Sequence, residues 1–219
     1  MSKHSLLGKK NSFVLIFHNY LRVGKIKTGS NSIELAPFLE KIGNIQYEMN
    51  QSKKCLDTCN EELRVKRLEM DHDNLEIAHT LFRVADAYFA LEQCNDSMDT
   101  LVKVLRVKKL RLGENHIEIA TVLGRIARCH MQLKDYSSSL VACKEVLLIQ
   151  KEKHGEKHLA LATTYLNMSD AYLAKNSPEK SLRCLDQACK IRRIVLGVNN
   201  LQVANVLEKK GKNEGNYSF

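Results

Sequence analysis

Residues 75–92 read LEIAHTLFRVADAYFALE, and this stretch decides the fold. Its apolar and small residues recur at intervals of three and four, as in Ala78, Leu81 and Val84. That spacing places them on one face of an α-helix. The sequence therefore predicts an amphipathic helix over residues 75–92, and we call a helix with this pattern helix A.

The same pattern returns along the whole chain with a period of 42 residues. Its first small residue recurs as Ala36, Ala78, Ala120, Ala162 and Ala204. A second apolar register, which we call helix B, lies between successive helices A and contains Leu63, Leu105 and Leu147. Glycines that can end a helix follow helix B at Gly113, Gly155 and Gly197. Self-similarity at one period predicts a stack of two-helix units.

The period divides the chain into four complete repeats flanked by partial ones. The predicted segments are an N-terminal tail (1–12), a lone helix B (13–28), complete repeats (29–70, 71–112, 113–154 and 155–196), a lone helix A (197–210) and a C-terminal tail (211–219). A stack of repeats needs polar elements over its exposed ends. The lone helices are therefore either native caps or the ends of a longer array.

Composition excludes several classes of protein. Hydrophobic residues make up 44% of the chain, enough for a buried core, so general disorder is not expected. No apolar run approaches the roughly 20 residues that span a bilayer, and no secretory signal is evident. We expect a cytoplasmic protein. The seven cysteines form no Cys-x-x-Cys motif and fit reduced thiols in the core better than a zinc site.

The helix A pattern resembles the tetratricopeptide repeat of the kinesin light chain type over residues 13–210. The resemblance rests on Ala78, Leu81, Val84, Ala85 and Tyr88 and on the turn LGENH at residues 112–116. The turn departs from the family pattern because His116 is followed by Ile117 instead of proline. The resemblance implies an all-α fold, a right-handed α-α superhelix, whose concave groove is lined by helix A and binds extended peptides or helices.

One position of helix A is the candidate ligand-binding site. It corresponds to the second asparagine of the family's helix A and holds Lys41, Arg83, Arg125, Asn167 and Lys209. Four of these five residues are cationic, which predicts a basic ladder that pairs with an acidic peptide. The alternative is that these are ordinary surface cations paired with nearby acids such as Asp86, Asp170 and Glu48.

The predicted function is a non-catalytic scaffold or adaptor for a protein or peptide partner, with no cofactor and no metal. The segment from His154 to His158 lacks the His-Glu-x-x-His spacing of a zinc helix, and His158 repeats the place of His116, which predicts a role in the turn. The alternative function is nucleic-acid binding, which the net charge of +9 favours. The chain has no tryptophan, and its aromatic residues are not spaced as stacking platforms. The sequence leaves the oligomeric state and the partner open.

Overall fold

The structure, a computed structural model, describes the backbone of residues 3–215 and the side chains of residue 10 and residues 12–214. The described chain is built from α-helices and one short 3₁₀ turn, Ile33–Leu35. The helices are α1 (Lys3–Thr28), α2 (Ala36–Glu48), α3 (Ser52–Lys66), α4 (Leu75–Ala90), α5 (Cys94–Leu112), α6 (Ile117–Gln132), α7 (Tyr136–His154), α8 (Leu159–Ala174), α9 (Pro178–Leu196) and α10 (Leu201–Gly215). The predicted all-α helical-repeat fold is confirmed.

The helices alternate as helix A and helix B. The stretch that decided the fold forms α4, and its predicted end at Glu92 lies two residues beyond the observed end at Ala90. Ala78, Val84 and Ala85 are buried, as the pattern predicts. Burial of one helix face against neighbouring helices is the main source of stability in such a stack.

The turns repeat with the same period as the helices. Helix B is followed by a glycine with positive φ at Gly113, Gly155 and Gly197, as predicted. The tight turn from helix A to helix B places a non-glycine residue at positive φ, and these residues are also 42 apart: Asn50, Glu92, Lys134 and Asn176. The conformation of the backbone therefore recurs with the same 42-residue period as the sequence.

Several helices A begin with a side-chain cap. The ring Nδ1 of His116 accepts a hydrogen bond from the backbone N–H of Glu118 at 3.3 Å, and Nδ1 of His158 accepts one from Ala160 at 3.2 Å. Asn74 caps α4 in the same way. These side chains satisfy N–H groups that have no partner inside the helix. The turn role predicted for the two histidines is thus a capping role.

The chain divides into two compact units, Met1–Arg111 and Leu112–Phe219. In the first unit, Leu35, Leu39 and Val65 form a buried cluster against which Leu21 of α1 packs. In the second unit a larger core joins α6 to α10, and its fully buried members include Leu161 and Leu185.

Helical backbone extends into both segments that were predicted as tails. Helix α1 begins at Lys3, ahead of Phe13, and α10 continues past Lys210 to Gly215. No proline interrupts either extension, so helical hydrogen bonding can continue. Residues 1–2 and 216–219 of the predicted tails lie outside the described residues. The division of the chain into repeats stays a prediction.

An α-helix crosses a bilayer when about 20 of its consecutive residues are predominantly apolar. Within the described part of the chain, no helix is long and apolar enough to cross a membrane.

Candidate ligand-binding cleft

The second unit contains a cleft of about 620 Å³ between α6 and α8, with α7 behind it. Both α6 and α8 are helices A of the predicted repeats, the elements expected to line a ligand groove. Each helix contributes small or polar side chains. The lining residues are Ala120, Thr121, Gly124, Arg125 and Arg128 from α6, Val146 and Gln150 from α7, and Ala160, Thr163, Thr164 and Asn167 from α8.

The cleft is open because of Gly124. A Cβ atom on Gly124 would meet no atom within 4 Å. One period before and one period after this position, the chain has Phe82 and Leu166. Glycine inside a helix costs roughly 0.5–1 kcal/mol relative to alanine. Gly124 therefore leaves free space beside α6, and it does so at a cost in the stability of that helix.

The floor of the cleft is buried and its polar groups are paired. Val146 is 3% exposed and Thr164 is 5% exposed. The hydroxyl of Thr164 donates a hydrogen bond to Oε1 of Gln150 at 2.9 Å. The hydroxyl of Thr164 and the amide oxygen of Gln150 therefore satisfy each other at the floor.

Two of the five predicted site residues meet at this cleft. Arg125 projects from α6 and Asn167 from α8, and both line it. A third polar residue, Arg128, lines the cleft three residues after Arg125 on the same helix. Its position was not predicted, although residues three apart on a helix share a face.

Arg83, one of the two predicted site residues in the first unit, is held inside the molecule. Its guanidinium donates to the carboxylate of Glu62 at 2.7 Å and to the backbone carbonyl of Glu40 at 2.9 Å. The Arg83 side chain is 12% exposed and that of Glu62 is fully buried. The Lys66 ammonium lies 3.0 Å from the same Glu62 carboxylate. Arg83 is therefore part of a buried ion network and does not face solvent as the pattern predicted.

The floor of the cleft holds a neutral version of this network, two periods further along the chain. Val146 stands at the position of Glu62, and Asn167 stands at the position of Arg83. The hydrogen bond from Lys66 to Thr80 (3.1 Å) corresponds to the bond between Thr164 and Gln150 (2.9 Å). The repeated position thus holds a salt-bridged, largely buried arginine at Arg83 and an amide beside the cleft at Asn167.

The two remaining predicted site residues have local partners. Nζ of Lys41 lies 5.4 Å from the centre of the Phe17 ring, a cation–π contact. Nζ of Lys209 lies 2.5 Å from a carboxylate oxygen of Asp170. Lys209 and Arg83 are thus each paired with an acidic residue of this chain.

A family model of the tetratricopeptide repeat matches residues 118–194, which include almost all of α6 and α9 and the whole of α7 and α8. The matched region contains the cleft. Residues 118–194 are thus tetratricopeptide repeats. No curated protein matches the sequence.

Several solved structures have a similar fold at low sequence identity. BtubC (BKLC) from P. vanneervenii has a TM-score of 0.75 at 13% identity, over 99% of this chain and 86% of that chain. A putative kinesin light chain from Podospora anserina with nearly identical repeats has a TM-score of 0.76 at 14% identity, over 86% of this chain and 89% of that chain. RapI has a TM-score of 0.67 at 18% identity, over 88% of this chain and 73% of that chain. The predicted kinesin light chain type of repeat is confirmed.

The cysteines lie inside the tetratricopeptide repeats. All seven are buried. Burial raises the pKa of the Cys143 thiol to about 11 and that of the Cys184 thiol to about 11, because the low-dielectric interior disfavours the thiolate. Since the thiolate is the nucleophile and the metal ligand, these two side chains serve as core residues.

Proposed function

We propose that the protein is a non-catalytic interaction module that binds an extended peptide or helix of a partner protein in the cleft between α6 and α8. Tetratricopeptide repeats generally mediate protein–protein interactions. The observation that carries the proposal is the open space at Gly124, directly beside Arg125, in a cleft of about 620 Å³. That volume accommodates side chains of a bound segment.

The charge of the cleft supports an acidic ligand. Two of the residues that line this described cleft, Arg125 and Arg128, are cationic, and none of its lining residues is acidic. A guanidinium forms paired hydrogen bonds with a carboxylate, which makes arginine suited to Asp and Glu side chains. The amide of Asn167 adds a group that can bond to a peptide backbone.

A selection of peptides from a random displayed library tests the proposal. Peptides are selected on the intact protein and then depleted on the Gly124→Phe variant, whose new side chain copies Phe82 of the preceding period. We expect the surviving peptides to be enriched in Asp and Glu. Surviving peptides without this enrichment would contradict an acidic ligand. If Gly124→Phe binds the selected peptides as well as the intact protein does, the depletion step removes them all, and that result would contradict the proposed cleft.

A further inference from the structure

A second cavity, of about 140 Å³, lies between α8 and α9, beside the end of α7, and we call it the α8/α9 cavity. Helix α8 lines it with Leu161 and Tyr165. The cleft toward α6 is lined instead by Thr163 and Asn167 of the same helix. Residues two apart on a helix do not share a face, so the two sites lie on different faces of α8.

The α8/α9 cavity has an apolar surface. Leu161 and Ile191 are buried, and Tyr165 is half-buried against the core. Ile194, one turn after Ile191 on α9, continues this surface outward and is 52% exposed. Covering such a surface with an alkyl chain is favourable, because apolar groups of both partners leave water.

The polar lining of the α8/α9 cavity is mainly cationic. Lys157, from the turn between α7 and α8, and Lys190, from α9, are both exposed. Neither has an ion-pair or hydrogen-bond partner among the residues that the structure describes. The third cation, Lys151, lies 3.7 Å from the carboxylate of Glu156, the one acidic residue of this described lining. Two cations of the lining are thus left without a carboxylate of this chain.

The equivalent place in the first unit shows how this framework holds a carboxylate. Asp73 stands 84 residues before Lys157, and Arg106 stands 84 residues before Lys190. The guanidinium of Arg106 donates a hydrogen bond to the carboxylate of Asp73 at 2.5 Å. The first unit therefore supplies its own carboxylate at a place where the second unit supplies two cations.

The position of Lys190 stays open to solvent inside the array of repeats. Its equivalent one period earlier, Leu148 of α7, is 70% exposed although three further helices follow. Glu152 of α7 is the equivalent of Ile194, and its side chain is 52% exposed. The exposure of the α8/α9 cavity therefore does not depend on where the array ends.

We propose that the α8/α9 cavity binds a small aliphatic carboxylate. The carboxylate group contacts Lys157 and Lys190, where it takes the place of the Asp73 carboxylate of the first unit. The alkyl chain lies against Leu161 and Ile194. A volume of about 140 Å³ equals that of about five water molecules in the liquid, at ~30 Å³ each, so it accepts a chain of about four to six carbon atoms. This proposal is independent of the cleft between α6 and α8.

Both halves of the ligand contribute to its affinity. Each CH₂ group that leaves water for the apolar surface strengthens binding about threefold to fourfold until the cavity is full. The two lysines form charge-assisted contacts with a carboxylate that an uncharged amide cannot form. We therefore expect the affinity to rise about tenfold from butanoate to hexanoate, to level off for longer chains, and to be at least about fivefold lower for hexanamide than for hexanoate.

NMR titration of the intact chain with these compounds measures the affinities and locates the site through the backbone amide shifts. The variant Lys157→Asp/Lys190→Arg copies the Asp73–Arg106 pair and so fills the site with an internal carboxylate. We expect it to bind hexanoate at least about tenfold more weakly than the intact chain. Arg183→Asp makes the same change of charge at an exposed position of α9 outside the cavity, and this control should bind hexanoate like the intact chain.

A further variant tests the apolar half of the site. Ile194→Ser removes an exposed apolar side chain without opening the core. We expect the rise in affinity from butanoate to hexanoate to shrink from about tenfold to less than about fivefold, because part of the surface that covers the alkyl chain is gone. Circular dichroism of each variant shows whether its helices are intact, so that lost binding is not mistaken for unfolding.

Several results would overturn the proposal. Equal binding of hexanoate by Lys157→Asp/Lys190→Arg and by the intact chain would show that the two lysines do not hold the carboxylate. Equal affinity for hexanoate and hexanamide, or for butanoate and hexanoate, would show that one half of the ligand is not recognised. Amide shifts around Gly124 instead of Leu161 would assign the ligand to the cleft between α6 and α8, and no binding of any compound would remove the site.

Discussion

At the scale of single residues, the buried carboxylate of Glu62 depends on its cationic neighbours. Lys66 and Arg83 both contact it, and the network sits where the second unit has uncharged residues. Removing one partner of a buried ion pair leaves an uncompensated charge, whereas replacing the whole set by uncharged residues of matching shape is often tolerated. The repeat supplies such a set, because Val146, Gln150 and Asn167 stand at the corresponding positions.

We expect Glu62→Ala to lower the free energy of unfolding by about 3–5 kcal/mol, since it leaves two buried cations without their carboxylate. The matched variant Glu62→Val/Lys66→Gln/Arg83→Asn copies the second unit and should recover most of that loss. Urea unfolding measures the free energy of unfolding of both variants. A triple variant as unstable as Glu62→Ala would show that the network is not interchangeable with its neutral counterpart.

The thiols of Cys143 and Cys184 give a second prediction at this scale. Burial raises the pKa of each to about 11, so both stay protonated in the folded protein at pH values where an exposed cysteine, with a pKa of about 8.5, ionises. We expect iodoacetamide to leave both unlabelled at a pH of about 8.5 and to label both after denaturation. Peptide mass spectrometry reads the result, and labelling in the folded state at the rate of free cysteine would contradict it.

The sequence predicted some of these residue-level features and missed others. The 42-residue period predicted the burial of the cysteines and of Ala36, Ala78, Ala120 and Ala162, whereas Ala204, at the same position of α10, is exposed. The burial and ion pairing of Arg83 were not predictable from its position in helix A. Its partner Glu62 lies on another helix, and no other repeat has an acidic residue at the position of Glu62. A site read from one repeated position cannot include contacts that the repeat does not share.

At the scale of elements, the turn from helix A to helix B stores backbone strain. Lys134 has a φ of 61°, a conformation that side chains with a Cβ atom adopt at a cost and glycine adopts freely. We expect Lys134→Gly to raise the free energy of unfolding by about 0.5–1 kcal/mol. Lys144→Gly, at an exposed position inside α7, is the control and should lower it by a similar amount. Equal effects of the two variants in thermal or urea unfolding would contradict the assignment of strain to the turn.

Helix α6 provides the second prediction for an element. Its glycine at position 124 has free space beside it, so a methyl group fits without displacing a neighbour. We expect Gly124→Ala to stabilise the protein by about 0.5–1 kcal/mol, because alanine favours the helix. A loss of stability would show that the space is smaller than the structure indicates, and urea unfolding decides between the two outcomes.

The boundaries of the elements followed from the sequence wherever a cap or a glycine marked them. Positive φ at Gly113, Gly155 and Gly197 ends helix B where the glycines predicted. The extension of α1 to Lys3 and of α10 to Gly215 was not predicted, because no break in the sequence marks either end. The cleft was also not predicted, since it depends on the absence of one side chain at Gly124 between two helices that are distant in sequence.

At the scale of the whole molecule, the net charge of +9 allows both an acidic peptide and a nucleic acid as ligand. The two differ in their dependence on salt. Duplex binding through many phosphates loses about 10³–10⁵ in affinity between about 50 and 200 mM salt. A peptide held at one cleft by two arginines and by apolar contacts should lose less than about tenfold over the same range.

The central claim is that the cleft between α6 and α8 binds an acidic segment, and calorimetric titration of one selected peptide tests it most directly. The titration compares the intact protein with Arg128→Glu and with the control Arg183→Glu, an exposed cation on α9 outside the cleft. We predict that Arg128→Glu weakens binding at least about tenfold, a loss of about 1.4 kcal/mol, while Arg183→Glu binds like the intact protein. Equal weakening by both reversals would show that general positive charge, and not the cleft, holds the ligand.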